Sequence, residues 1–214
     1  MLKVFGRRNA YNVQKVLWAV GEIDLSFEHV DIGSVTGQLD TPEFLALNPH
    51  GRIPVLVDGE MVIWESNTIV RYLSARYGTG WLWPESPALR SHADRWMDWE
   101  LATLQSDFLA LFWEYFRTPP ESRNHEAISQ SLARCERHYQ KLDSHLASHP
   151  YLGGENFTMG DIPCAVSLYR YFQMGLDVAR PPNVVAWYER LSKRAAYKEH
   201  VVVPFEELRG RLEY

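Results

Sequence analysis

Over the first seventy-odd positions the apolar residues switch repeatedly between strand spacing and helix spacing. Leu2 to Phe5 is a short apolar run that reads as a strand. Val13, Val16, Leu17 and Val20 then recur at i, i+3, i+4 and i+7, the stripe of one helical face. Phe27 to Asp31 reads as a second strand. Thr41-Pro42 opens a short helix, with Thr at the N-cap and Pro at the first helical position. Val55 to Val57 and Met61 to Trp64 are strand-like and are joined through Asp58-Gly59, a hairpin signal. Ser66 is placed to cap a third helix carrying Ile69, Val70, Leu73 and Tyr77. The order β-α-β-α-β-β-α predicts a small α/β sandwich.

After Gly78-Thr79-Gly80 the pattern changes. Trp81 to Pro87 contains two prolines and reads as a linker, and from Leu89 onward every long segment is helical. Ile128, Leu132, Cys135, Tyr139, Leu142 and Leu146 alternate steps of four and three, as a buried seam does. Val184, Trp187, Tyr188 and Leu191 mark a later helix. Phe157 to Ile162 reads as a helix start: Thr158 at the N-cap, Asp161 three residues on, and Phe157 and Ile162 in the staple positions. The predicted division is an α/β domain over 1–79, a linker over 80–87 and an all-α helical bundle over 88–214.

Composition narrows the function. Eight Trp, eleven Tyr and nine Phe supply large surfaces for a core or a pocket. A net charge of -5, with arginines scattered singly, argues against nucleic acid or an anionic membrane as partner. No apolar stretch approaches the roughly 20 residues of a membrane helix, and no leader pattern opens the chain. Cys135 and Cys164 are the only cysteines and form no C-x-x-C pair, which suits a reducing compartment and excludes a cysteine zinc site. The histidines are scattered, so no metal is expected. The expectation is a cytoplasmic protein.

Three segments carry the chemistry. Gly6-Arg7-Arg8-Asn9-Ala10-Tyr11-Asn12-Val13-Gln14-Lys15-Val16 ends the first strand and opens the first helix. Asn48-Pro49-His50-Gly51-Arg52-Ile53-Pro54-Val55-Leu56 leads into the third strand, and Trp64-Glu65-Ser66-Asn67 leads into the third helix. Glu65-Ser66 at a helix start suits an α-amino acid head group: helix amides and the hydroxyl hold a carboxylate, and the Glu holds an ammonium. The plainer alternative is a capping Ser beside a surface Glu. Ile53-Pro54 before a strand either marks a special turn or is simply where the strand begins.

Together, in this order and spacing, the segments resemble the glutathione transferase family on its theta-like, bacterial side, over nearly the whole chain. The resemblance implies a thioredoxin-like N-terminal domain and a helical C-terminal domain. It also implies a cis Ile53-Pro54 bond that leaves the Ile53 backbone free to pair with the cysteinyl unit of glutathione. Glu65 and Ser66 would take the γ-glutamyl end, and Arg52 or Gln38 the glycyl carboxylate, although a solvated side chain is an equal reading for each of the last two. Theta-like members usually place Ser or Thr at position 10 to bond the sulfur. Here it is Ala10, so Asn12, with Asn9 behind it, is the expected thiolate donor.

The activity implied is attack of the glutathione thiolate on a small apolar electrophile, with glutathione as co-substrate and no other cofactor. A glutathione-dependent peroxidase or disulfide reductase and a non-catalytic glutathione-binding module are the alternatives. Trp96, Trp99, Leu104, Phe108, Phe112, Trp113 and Tyr115 form a dense set on one predicted helix, most of it core. Tyr11, Phe108 and Trp113 are the candidates for the electrophile pocket. A homodimer is expected, with Asp98 as the residue to test for reaching a partner's glutathione.

Overall fold

The computed structural model describes residues 1–33 and 37–212. Four strands form one sheet in the order β2-β1-β3-β4. β1 (Leu2–Phe5) pairs in parallel with β2 (Phe27–Val30) and antiparallel with β3 (Val55–Asp58), and β3 pairs antiparallel with β4 (Met61–Trp64). A parallel pair needs a long crossover, which α1 (Tyr11–Glu22) supplies. The antiparallel pair needs only a tight turn, with Gly59 at φ 62° between the strands.

Two layers cover the sheet. Leu2, Val4 and Leu56 face α1 and α3 (Ser66–Tyr77). On the other side Ile32 and Val55 meet Phe44 of α2 (Pro42–Leu47), whose Thr41 cap accepts from the Phe44 amide at 3.3 Å. α1 is buried on nearly every face, from Val13 through Val20, because it is a middle layer rather than an outer one.

The second half begins with α4 (Pro87–Trp99), which continues through a π turn (Glu100–Leu104) into α5 (Gln105–Leu111) and a second π turn (Phe112–Arg117). The aromatic set therefore lies on one helical run, but the run is not regular. Each π turn accommodates an extra residue and rotates the face that follows. α6 (His125–Leu146) is capped by Asn124, whose Oδ1 accepts from the amides of Glu126 and Ala127. The expected seam of α6 is buried, with Leu132 half-buried at its edge. Four shorter helices complete the bundle: α7 (Asp161–Ala165), α8 (Leu168–Gln173), α9 (Pro182–Leu191) and α10 (Ala195–His200).

The helix start at Thr158 differs from expectation. Asp161 does reach back to the Thr158 amide (3.0 Å), but α7 begins at Asp161 itself, and the Thr158 hydroxyl accepts from Gly160 at 3.4 Å. The Asp161 carboxylate is wholly buried and also accepts from the Leu152 amide (2.9 Å) and Trp187 Nε1 (3.1 Å). It is a three-way tie between segments rather than a simple cap. Burial pushes its carboxyl up to about 6, against these donors.

The compositional boundary near residue 80 does not divide the core. Trp18 of α1 packs on Tyr197 of α10 and on Phe157, with ring centroids 4.8 and 5.6 Å apart. One apolar cluster runs from Leu2 to Leu208. Among the described residues no helix is long and apolar enough to cross a membrane.

Candidate active site

β1 is followed by Gly6, with φ 137°, where a Cβ would fall 2.5 Å from Val13 Cγ2 and 3.1 Å from Ile53 Cβ. Only Gly lets the strand end, the first turn of α1 and Ile53 close on one another there. Ile53-Pro54 is cis and leads directly into β3. α1 opens at Tyr11 behind Ala10, which sits at the N-cap in extended conformation and makes no side-chain bond. With no oxygen at position 10, the first-turn amides of α1 lack a side-chain cap.

α3 opens in the same way, for a different reason. Ser66 is the first residue of the helix and not its cap; the N-cap is Glu65, at φ 70° and ψ 113°, and makes no side-chain bond. A capping side chain folds back from an extended residue, a geometry that Glu65 does not have. The buried Ser66 hydroxyl instead donates to Asn12 Oδ1 at 3.3 Å. Two uncapped helix N-termini are thus linked side chain to side chain, beside the Ile53-Pro54 turn. Asn12 is half-buried, and with its oxygen engaged by Ser66 the Nδ2 end is the one that can donate.

Other expected residues are placed differently. Asn9 turns towards the C-terminal segment: its amide donates to Glu207, and its backbone oxygen accepts from Arg170 Nη2 at 2.5 Å. It therefore joins the two halves of the chain. Arg52 is exposed, its carbonyl held by Asn48 Nδ2 at 2.7 Å. Gln38, at φ 70°, is exposed and accepts on its carbonyl from Thr41 (3.1 Å). Glu65 is also exposed. Asp98 accepts from Arg71 within the same chain, as does Asp94 at 2.8 Å.

Of the three pocket candidates, Tyr11 and Trp113 line a small open cleft of about 30 Å³ beside the first turn of α1. Phe108 does not line it. It is fully buried, with its ring 5.5 Å from Tyr11 and 6.1 Å from Phe112, and it supports the wall from behind. Arg7, Arg117 and Arg170 line the cleft together with Asn9, Leu109, Phe112 and Leu208. Three arginines so far apart in sequence leave no local pattern to read.

Behind the cleft lies a dry polar cluster. Lys15 Nζ bonds both carboxylate oxygens of Glu100 (2.9 and 3.0 Å) and Gln105 Oε1 (2.6 Å). Glu100 also accepts from Tyr11 Oη at 2.9 Å and from Asn67 Nδ2 at 3.4 Å. Burial draws the Lys15 ammonium below its ordinary pKa, with Glu100 pulling the other way. Burial, reinforced by Glu100, raises Tyr11 well above the usual phenol range, so it stays a neutral donor. Both cysteines are buried. Burial lifts Cys135 to about 12 and Cys164 well above its usual range, so neither offers a reactive thiolate.

Comparison with known proteins gives this geometry a family. The "Glutathione S-transferase, N-terminal domain" family matches residues 1–75, and the "Glutathione S-transferase, C-terminal domain" family matches residues 126–190. The glutathione S-transferase GstB of Escherichia coli strain K12 is 40% identical over 206 residues, covering 95% of this chain and 99% of the relative. Glutathione S-transferase 3 of Zea mays is 34% identical, covering 94% and 93%. A theta class glutathione S-transferase from Xanthomonas axonopodis pv. citri, solved with glutathione bound, superposes with a TM-score of 0.92 at 42% identity, covering 95% of this chain and 98% of that one. With both halves matched and relatives this similar spanning almost its whole length, the chain belongs to the glutathione S-transferase family.

Proposed function

We propose that this protein conjugates the glutathione thiolate to a small electrophile, binding the γ-glutamyl end at α3 and the sulfur at α1. The observation that carries this is the pair of uncapped helix N-termini joined through Ser66 and Asn12. Open helix amides favour anions, and glutathione brings two at this spacing of functions: a carboxylate and a sulfur that ionises. The α3 amides and Ser66 take the carboxylate, and Glu65 takes the ammonium. The Ile53 backbone pairs with the cysteinyl unit, and Arg52 or Gln38 meets the glycyl carboxylate.

Asn12 stabilises the sulfur. A thiol of pKa about 8.5 is only a few per cent ionised at pH 7. Lowering it by two requires about 2.7 kcal/mol of preference for the thiolate. One charge-assisted hydrogen bond supplies roughly 1.5–3 kcal/mol and a helix N-terminus roughly 0.3–1. Together they suffice without a hydroxyl at position 10. An Asn amide donates but does not take up the proton, so it holds the thiolate rather than acting as base.

We infer a homodimer as the working form. β4 is an open edge of the sheet, and Met61, Val62 and Trp64 on it are exposed large apolar residues, as is Leu101. The test of function is calorimetry with glutathione, followed by assays with aryl halide, peroxide and disulfide substrates, each with and without it. No heat at millimolar glutathione would overturn the reading. Turnover of peroxide or disulfide alone would replace conjugation with reduction, carried by glutathione's own thiol because both protein thiols are buried.

A further inference from the structure

One carbonyl just beyond β1 is held by a side chain rather than by the sheet. β2 is an edge strand and stops at Val30, while the neighbouring chain runs on to Gly6. The Gly6 amide donates to the Val30 carbonyl at 3.0 Å, and the Gly6 carbonyl meets His29 Nε2 at 2.7 Å. A carbonyl only accepts, so Nε2 carries the proton there. His29 is half-buried and lies opposite Val4 in the register, on the face of the sheet that α1 covers. Both polar ends of Gly6 are thus fixed by β2. Gly6 is itself buried, and it is the point where the strand end, Val13 of α1 and Ile53 close on one another. Its carbonyl defines the plane of the Gly6–Arg7 peptide. That peptide opens a turn which the Ala10 amide closes on the Arg7 carbonyl at 3.0 Å. α1 follows at once, with the Gln14 amide donating to the Ala10 carbonyl at 2.9 Å. Only this turn and Tyr11 lie between the held peptide and Asn12.

Resting on the sulfur role proposed above for Asn12, we propose that His29 is a positioning residue for the thiolate. By holding the Gly6–Arg7 peptide it sets where the first turn of α1 stands against the Ile53-Pro54 turn. It acts on the reaction only through the backbone. Charge-assisted hydrogen bonds are short and directional, so a donor that drifts loses much of its preference for the thiolate. At Gly6, with φ 137° and no Cβ, the backbone itself does little to stop a released peptide from turning. That freedom would pass through the turn to the donor of the sulfur. In the same reading the γ-glutamyl end is held at α3, which follows β4 on the opposite edge of the sheet, so its hold does not run through β2.

The test pairs His29→Gln with His29→Met. The two side chains are nearly equal in length, but only the Gln amide donates to a carbonyl. At a half-buried position on an edge strand neither change empties the core. The thiol of bound glutathione is titrated by its thiolate absorbance. Calorimetry follows S-methylglutathione, which has no thiol to ionise. His29→Met should raise the apparent thiol pKa by about one and, below that pKa, lower kcat/KM for an aryl halide about tenfold through the lost thiolate. Its Kd for S-methylglutathione should stay within about threefold of the parent's. His29→Gln should keep the thiol pKa within about 0.3 of the parent's. An unchanged pKa in His29→Met reduces the imidazole to satisfying a carbonyl and overturns the proposal. An equal shift in both variants does the same, since the donated bond is then not what acts. A loss of S-methylglutathione affinity that matches the loss of kcat/KM overturns it too, because the whole site has then loosened. If His29→Met does not fold, His29→Gln decides: a folded variant shifted by about one or more overturns the proposal, and one that keeps the parent's pKa upholds it. In each of these cases a parent that binds glutathione leaves the transferase reading standing. A parent that shows no binding removes that reading and the positioning role together.

Discussion

Lys15 and Glu100 are both fully buried, on opposite sides of the boundary between the α/β half and the helical half. At 2.9 Å the attraction is about 6 kcal/mol at an effective dielectric constant near 20, and desolvating two ions consumes several kcal/mol each. The intact pair is therefore close to neutral for stability, whereas removing one partner leaves an uncompensated buried charge. Lys15→Met and Glu100→Gln should each destabilise the protein by about 3–5 kcal/mol. The Glu100 change also weakens the acceptor for Tyr11 and Asn67. For a chain of this length that corresponds to a melting temperature lower by about 6–20 °C. The double variant carries neither charge and should return to within about 2 kcal/mol of the parent. Chemical denaturation of the four proteins, with matched m-values, gives the coupling energy directly. If each single variant costs under about 1 kcal/mol and the two effects simply add, the cluster is not dry in solution and this account is wrong.

Three further outcomes follow from the geometry. Asn12→Ala should raise the apparent pKa of the bound glutathione thiol by about one to two, read from thiolate absorbance, and Ala10→Ser should lower it; an unchanged pKa in Asn12→Ala removes Asn12 from the mechanism. Asp161, lifted by burial to about 6, opposes folding when ionised, so its penalty is full above that pH and fades as the pH falls towards 3.8. The parent should therefore gain about 1 kcal/mol over Asp161→Asn between pH 7 and pH 5, and a gap that stays constant refutes the assignment. Light scattering should return twice the 24.8 kDa chain mass, and Met61→Glu with Trp64→Glu should halve it; a parent already at 24.8 kDa rules out the dimer.

The first half of the fold was legible almost residue by residue, since short strands and helices alternate there and each carries its own period. What sequence could not supply was convergence. Ser66 looks like a cap because it precedes a helical stripe, but the left-handed φ of Glu65 moves the helix start by one residue and frees the hydroxyl for Asn12. Lys15 and Gln14 look like the wet side of α1; both are buried because the helical half covers that side too. The π turns at Glu100 and Phe112 break the periodicity that would have sorted the aromatic set into wall and core. Arg7, Arg117 and Arg170 meet only once the chain is folded, and the segment after Val201, which brings Leu208 and Glu207 against Asn9 and the cleft, carried no readable period.

α1 is a party wall. Its first turn belongs to the proposed glutathione site, and its last turns carry Trp18 into α10 and Phe157. Glu22, at its end, is gripped by Arg194 through two hydrogen bonds of 2.7 and 2.6 Å. Neither half can open without stripping apolar surface from the other, so the two should unfold as one cooperative unit. Glutathione bound at the proposed site would then slow amide exchange in α10, because its opening requires α1 to let go.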